Sequence, residues 1–340
     1  MSVNWLLENA APVVRYKTLT ELAKCDDNAL LQSTLDEVLE LPQMQKRLAL
    51  LRNLNFSKTH GSPAMYLENT LPMLSDFGLY YGMDAFDNEI PSIEEVAAVV
   101  TSDKYDKTIA YPFLIRSKFP FDCLFEYVVE RIGEIYDFTQ YMNHDIYDDS
   151  ANYKSMPENF RGRRIIKPEI DGSLPLIYDI VAMAAIYNSA SADVQTKIDN
   201  IIEYIISPGY DAIESMYGIR CAAPRKYYAK GWACNKPFND NKDYSNANLH
   251  RLLLYSNFPV ATKSVWYKNA IDFLSQYKTD SGTYIFPKEY LIEADGNWVL
   301  GTRMSLAENR RKQQWLEVES TFYMQKLLAA FNTVAEENHV

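Results

Sequence analysis

Apolar residues recur at helical spacing along almost the whole chain, and this pattern limits the fold more than any other feature. Leu31, Leu35, Val38 and Leu39 follow i, i+4, i+7, i+8 between a candidate N-cap at Asp27 or Asn28 and Pro42. Phe121, Phe125, Val128, Ile132 and Ile135 hold one stripe. Val194, Ile198, Ile201 and Ile205 hold another, opening at Ser191 and stopping at Pro208-Gly209. Trp266, Ala270, Phe273 and Tyr277 repeat the spacing, as do Tyr323, Leu327, Ala330 and Val334. Ser62-Pro63 and the capping box Ser92-x-x-Glu95 predict two further helix starts, and Gly78 a helix stop. Strand signals are poor. Only 12 glycines serve 340 residues, and no hairpin dipeptide lies between alternating β-branched runs. The expectation is an all-α chain of about a dozen helices, forming a single domain over 1–340. Loop-rich stretches interrupt it at 143–173 and 207–244.

Composition narrows the function. A formal charge of −11 argues against a nucleic-acid partner, because phosphate backbones call for a basic surface. With 47% hydrophobic and 23% charged residues the chain has ample core and is not disordered. No run approaches the roughly 18 apolar residues that span a bilayer, so no membrane span is expected. The start, Met1-Ser2-Val3-Asn4-Trp5, has no basic n-region before an apolar run. Without that signal, Cys25, Cys123, Cys221 and Cys234 read as reduced thiols of a cytoplasmic protein. His60, His144, His250 and His339 are scattered, and no metal-ligand spacing is present, so no metal site is expected. G-x-G-x-x-G and P-loop patterns are absent, and no cofactor is expected. There is no G-x-S-x-G elbow either.

Several short segments carry a family likeness. Trp5-Leu6-Leu7-Glu8, followed by Pro12-Val13-Val14-Arg15-Tyr16-Lys17-Thr18-Leu19, resembles the first helix of squalene-cyclase-like proteins. These are a branch of the terpenoid cyclase and protein prenyltransferase superfamily. Phe273-Leu274-Ser275-Gln276 with Asp280-Ser281-Gly282-Thr283-Tyr284 is similar to that superfamily's QW-type repeat ending, with Tyr in place of Trp. Asp171-Gly172-Ser173-Leu174-Pro175 is a weaker echo, and Trp315-Leu316-Glu317 is similar to the entry into the last hairpin. The resemblance implies an α/α toroid of antiparallel helical hairpins around an aromatic-lined cavity. It does not extend to the known chemistry. The Asp-x-Asp-Asp acid of proton-initiated cyclases is missing, and Asp145-Ile146-Tyr147-Asp148-Asp149 has the wrong order. The Asp-x-Cys pair of zinc prenyltransferases is missing too, since Asp122 and Cys123 are adjacent. Carrying either activity over would be analogy from fold alone.

Three constellations could carry function. Arg161, Arg163, Arg164 and Lys167 form one acid-free stretch; Arg220, Arg225, Lys226 and Lys230 form a second. Arg303, Arg310, Arg311 and Lys312 form a third, accompanied only by Glu308. Such loops could make a positive mouth that captures a carboxylate or phosphate, or they could pair with acids elsewhere on the surface. Tyr210, Tyr217, Tyr227, Tyr228 and Trp232 crowd one loop, either to stack a ligand or to fill the core. In Arg310–Phe322, read as helical, Glu319 lies between Trp315 and Phe322 and needs a cationic partner such as Arg303 or Arg311. It could be a buried structural pair or a desolvated general acid or base.

These readings combine into one expected site. Arg310 and Arg311 would share a cavity with Tyr227, Tyr228 and Trp232, and Glu319 would act catalytically about 12 Å deeper along the helix. The small-molecule ligand would be anionic or amphiphilic, and the chain an enzyme using acid/base chemistry or a binder. Alternatives of another class are a protein-interaction scaffold and a helical-toroid carbohydrate-active enzyme using paired carboxylates.

Overall fold

The computed structural model describes residues 2–90, 104–141, 144–148, 156–214, 216–223, 225–238 and 246–337, together with Ser92, Glu94 and Val96. It is 59% helix, with one small two-stranded sheet among the described residues. No described helix is long and apolar enough to cross a membrane.

The periodic segments form helices for the reasons their spacing predicts. Asn28–Leu39 opens at Asp27, whose side chain accepts from the Ala29 and Leu30 amides. Ala192–Ile206 opens at Ser191 and buries Val194, Ile198, Ile201 and Ile205 on one face. Asp122–Tyr141 buries Leu124, Val128, Ile132 and Ile135, while Phe125 stays 40% exposed at the edge of its stripe. Leu67–Asp76 stops just before Gly78, whose φ of +85° suits glycine at a helix end.

A second group of helices is buried on nearly every side. All residues from Leu67 to Leu74 are buried, as are Ile177 to Met183. A helix apolar all round must sit inside others. Leu67–Asp76 packs against Lys104–Arg116, which packs against Ile177–Ile186. That helix meets Asn246–Tyr255, which meets Trp315–Glu337. Trp315–Glu337 in turn contacts Ser2–Asn9 and the π-helical turn Thr18–Leu22. One-faced helices, including Asp122–Tyr141 and Ala192–Ile206, pack on each other outside this series. The two ends of the chain are tied: Ser2 Oγ donates to the Gly282 carbonyl at 3.0 Å, and the Ala11 amide to Glu308 at 2.6 Å. One cluster of buried apolar side chains runs from Leu6 to Leu327.

Four expectations need correction. The stretch 207–244 is not all loop: β1 (Gly218–Ala223) and β2 (Lys226–Lys230) form an antiparallel hairpin, with a register shift between Cys221 and Ala223. Its support is non-local, since the Ile219 amide and carbonyl bond to Arg164 and Ile166 (2.8 and 2.9 Å). At Gly218 a Cβ would stand 2.5 Å from the Arg164 carbonyl, so only glycine lets these backbones approach. Ser62-Pro63 starts no helix; turns follow, and the next helix begins at Leu67. The last helix begins at Trp315, so 310–314 is a turn region and not its first turn. Tyr277 lies beyond its helix, which ends at Ser275. Glu95 of the proposed capping box lies outside the described residues.

Candidate ligand-binding site

The expected single site is divided between two clefts that share no lining residue. Trp232 lines one, of about 310 Å³, beside the hairpin. Arg310 and Arg311 line the other, of about 790 Å³, at the seam where the chain ends meet. Tyr227 lines neither; it packs on Met156, Ile165 and Ile219. Tyr228 points outward at 56% exposure. Alternation along β2 explains this, because successive strand residues face opposite sides.

In the hairpin cleft, one wall is cationic. Lys230, at the end of β2, and Arg220, opposite Tyr228 on β1, both pair with Asp171, at 3.4 and 3.1 Å. Arg220 remains half exposed. Burial pushes the Lys230 ammonium pKa down; Asp171 opposes this and Arg131 adds to it. Behind them Arg131 is fixed: it forks onto Asp179 with two 3.1 Å bonds and donates to the Leu174 carbonyl at 2.7 Å.

The other wall is aromatic. Tyr178 and Trp232 meet with ring centroids 5.6 Å apart. Trp232 has a φ of +68°, a conformation that costs a bulky residue of order 1–3 kcal/mol and is held by its surroundings. Its carbonyl accepts from the Ile177 amide at 2.9 Å, and the His60 ring stands edge-on to it at 5.3 Å.

Behind this wall lies a polar cluster that sequence reasoning missed. Glu68 is fully buried, yet three donors and the His60 ring crowd its carboxylate. Gly61 N (2.5 Å), Asn297 Nδ2 (2.7 Å) and His60 Nδ1 (2.8 Å) address Oε1, and the Tyr178 hydroxyl donates to Oε2 at 2.6 Å. A signal was available: Glu68-Asn69-Thr70 puts three consecutive polar residues inside a run that is otherwise apolar from Leu67 to Leu74.

The seam cleft tells a different story. Glu319 is fully buried and lines neither cleft; it accepts from the Leu306 amide at 2.8 Å and Arg310 at 3.3 Å. Its partner is therefore Arg310, not Arg303 or Arg311, because the chain turns before Trp315 and swings Arg310 back. Burial pushes the Glu319 carboxyl up to about 8 against the pull of Arg310. Arg310 also donates to the Leu291 carbonyl at 2.6 Å and lies over the Trp315 ring, 4.3 Å from its centroid. Arg303 is buried elsewhere, donating to the Ser62 carbonyl at 3.1 Å. Arg311 is exposed, and its side chain has no partner among the described residues. The first basic stretch is dispersed: Lys167 pairs with Asp145 at 2.7 Å, and Arg164 lies over Tyr147. No family model matches the chain, and no curated protein or solved structure matches it.

Proposed function

We propose that this protein is a single α/α toroid of antiparallel helical hairpins that binds an amphiphilic anion in the hairpin cleft. The toroid is supported by the series of contacting helices that links Leu67–Asp76 to Trp315–Glu337 and by the tie between the chain ends. A likeness in plan to squalene-cyclase-like proteins belongs to the same proposal. The observation that carries the binding reading is the pairing of Lys230 and half-exposed Arg220 on one carboxylate, opposite the Tyr178–Trp232 wall. Two cations on one acid leave positive charge facing the cleft, and the partly exposed Trp232 ring, backed by buried Tyr178, suits an apolar body. The four cysteines are free, which fits a reducing cytoplasm.

An enzymatic reading has its own support. It would use His60, which stands 2.8 Å from Glu68 and edge-on to Trp232, although His60, like Glu319, lines neither cleft. Glu319 is engaged by Arg310 and a backbone amide, and lines neither cleft.

Calorimetry with decyl phosphate, inorganic phosphate and decanol tests the binding reading. Decyl phosphate should bind most tightly, and Arg220→Ala or Trp232→Ala should each weaken it about tenfold, as expected for loss of about 1.5 kcal/mol. Absence of binding, or binding indifferent to both substitutions, would leave the scaffold alternative as the better account.

A further inference from the structure

Lys230 differs from the other cations of its cleft in one chemical respect: arginine keeps its proton, and lysine can lose it. We infer that the Lys230 amine is a nucleophile that captures an anionic aromatic aldehyde in the hairpin cleft as an imine. The inference rests on the binding reading above and adds a covalent step to it.

The geometry has three parts. The side chain of Lys230 is 24% exposed and lines the cleft, so a ligand carbonyl can reach it. A base stands beside it: Asp171 Oδ1 is buried, lacks a hydrogen-bond donor among the described residues, and lies 3.4 Å from Nζ. The Asp171 backbone carbonyl accepts from Nζ at 3.0 Å and orients the amine. Finally, Arg220 offers a guanidinium for the ligand's anion, while the partly exposed Trp232, backed by buried Tyr178, offers a ring for its aromatic body. Burial, the largest influence, and the Arg131 charge favour the neutral amine against the pull of Asp171 and Asp179, as burial does for lysines that form imines.

The chemistry balances without an oxidant or reductant. The ammonium first gives one proton to Asp171 or to solvent. The nitrogen lone pair then forms a bond to the aldehyde carbon as the C=O π electrons move to oxygen. Both remaining N–H protons leave with that oxygen as water, and a C=N bond remains.

Pyridoxal 5′-phosphate is a suitable probe, being an aromatic aldehyde with a phosphate. The full chain is incubated with it, reduced with borohydride and mapped by peptide mass spectrometry, with benzaldehyde as the aldehyde lacking an anion. Lys230 should be labelled about tenfold faster than exposed lysines such as Lys46, because the cleft holds the anionic aldehyde beside its amine. Excess decyl phosphate should suppress that label, and benzaldehyde should show no preference for Lys230. In Lys230→Arg, which keeps the positive charge, this peptide should stay unlabelled while circular dichroism matches the parent. Labelling of Lys230 no faster than of Lys46, in protein that binds decyl phosphate, overturns the imine and leaves the binding reading standing. Failure to bind decyl phosphate as well overturns both.

Discussion

The hairpin cleft and the seam cleft contain similar residue types and use them in opposite ways. At the seam, Arg310 is consumed by Glu319, the Leu291 carbonyl and the Trp315 ring, so its charge serves packing. At the hairpin, Arg131 is consumed in the same manner, but Arg220 and Lys230 share a single carboxylate. On the proposed reading, a basic loop can meet an anion where two cations share one carboxylate and one of them stays half exposed. The number of arginines in the stretch does not decide it. The same contrast holds for the buried acids. Glu68 behind the aromatic wall accepts from three donors and lies beside His60, whereas Glu319 accepts from a backbone amide and one arginine and has its pKa raised by burial.

That difference gives the largest expected effect. Glu68→Ala removes a fully buried carboxylate that accepts from the Tyr178 hydroxyl, the Asn297 amide and the Gly61 N–H. Unfolding in urea should show a loss of about 3–5 kcal/mol. A loss below about 1 kcal/mol would mean that the cluster is not the structural anchor of the aromatic wall.

The seam should respond to pH instead. Glu319 ionises near pH 8 when folded and near 4.5 when unfolded, and burial also raises Glu308, to about 7. The folded chain therefore holds these protons more tightly than the unfolded chain. Their stabilising contribution is complete below pH 4.5 and is lost as pH rises through 7 and 8. Across that window stability should fall by on the order of 2–4 kcal/mol, and Glu319→Gln, which mimics the protonated acid, should flatten much of the slope. An unchanged slope in the variant would show that Arg310 keeps Glu319 ionised throughout.

What the sequence made legible follows the range of the interactions involved. Helices such as Ala192–Ile206 were readable because stripe and cap lie within one segment. The β-hairpin was not readable. Its strands are short, its turn lacks a hairpin dipeptide, and Ile219 finds its partners some fifty residues away at Arg164 and Ile166. In the site, Trp232 and the cations Arg220 and Lys230 stood out through local crowding of aromatic and basic residues. Asp171 was visible only within the weak echo of the superfamily repeat at 171–175, and nothing local ties it to Lys230. Glu68 and His60 are meaningful only with Tyr178 and Asn297, which come from distant parts of the chain. The need of Glu319 for an arginine was legible from its apolar neighbours. Which arginine was not, since that depended on where the last helix begins.

The smallest expected effect separates two neighbours that the sequence could not tell apart. Arg310→Ala removes the only charged hydrogen-bond donor of Glu319 among the described residues and uncovers Trp315, so it should cost about 2 kcal/mol of stability at pH 7. Arg311→Ala removes an exposed side chain without a partner. It should change stability by less than about 0.5 kcal/mol, and leave decyl phosphate binding unaltered because Arg311 lines the seam cleft only. Thermal unfolding of both variants, with calorimetry on the second, checks the pair. A tenfold loss of decyl phosphate affinity in Arg311→Ala would mean that the anion sits at the seam. The comparison between the two clefts would then have to be reversed.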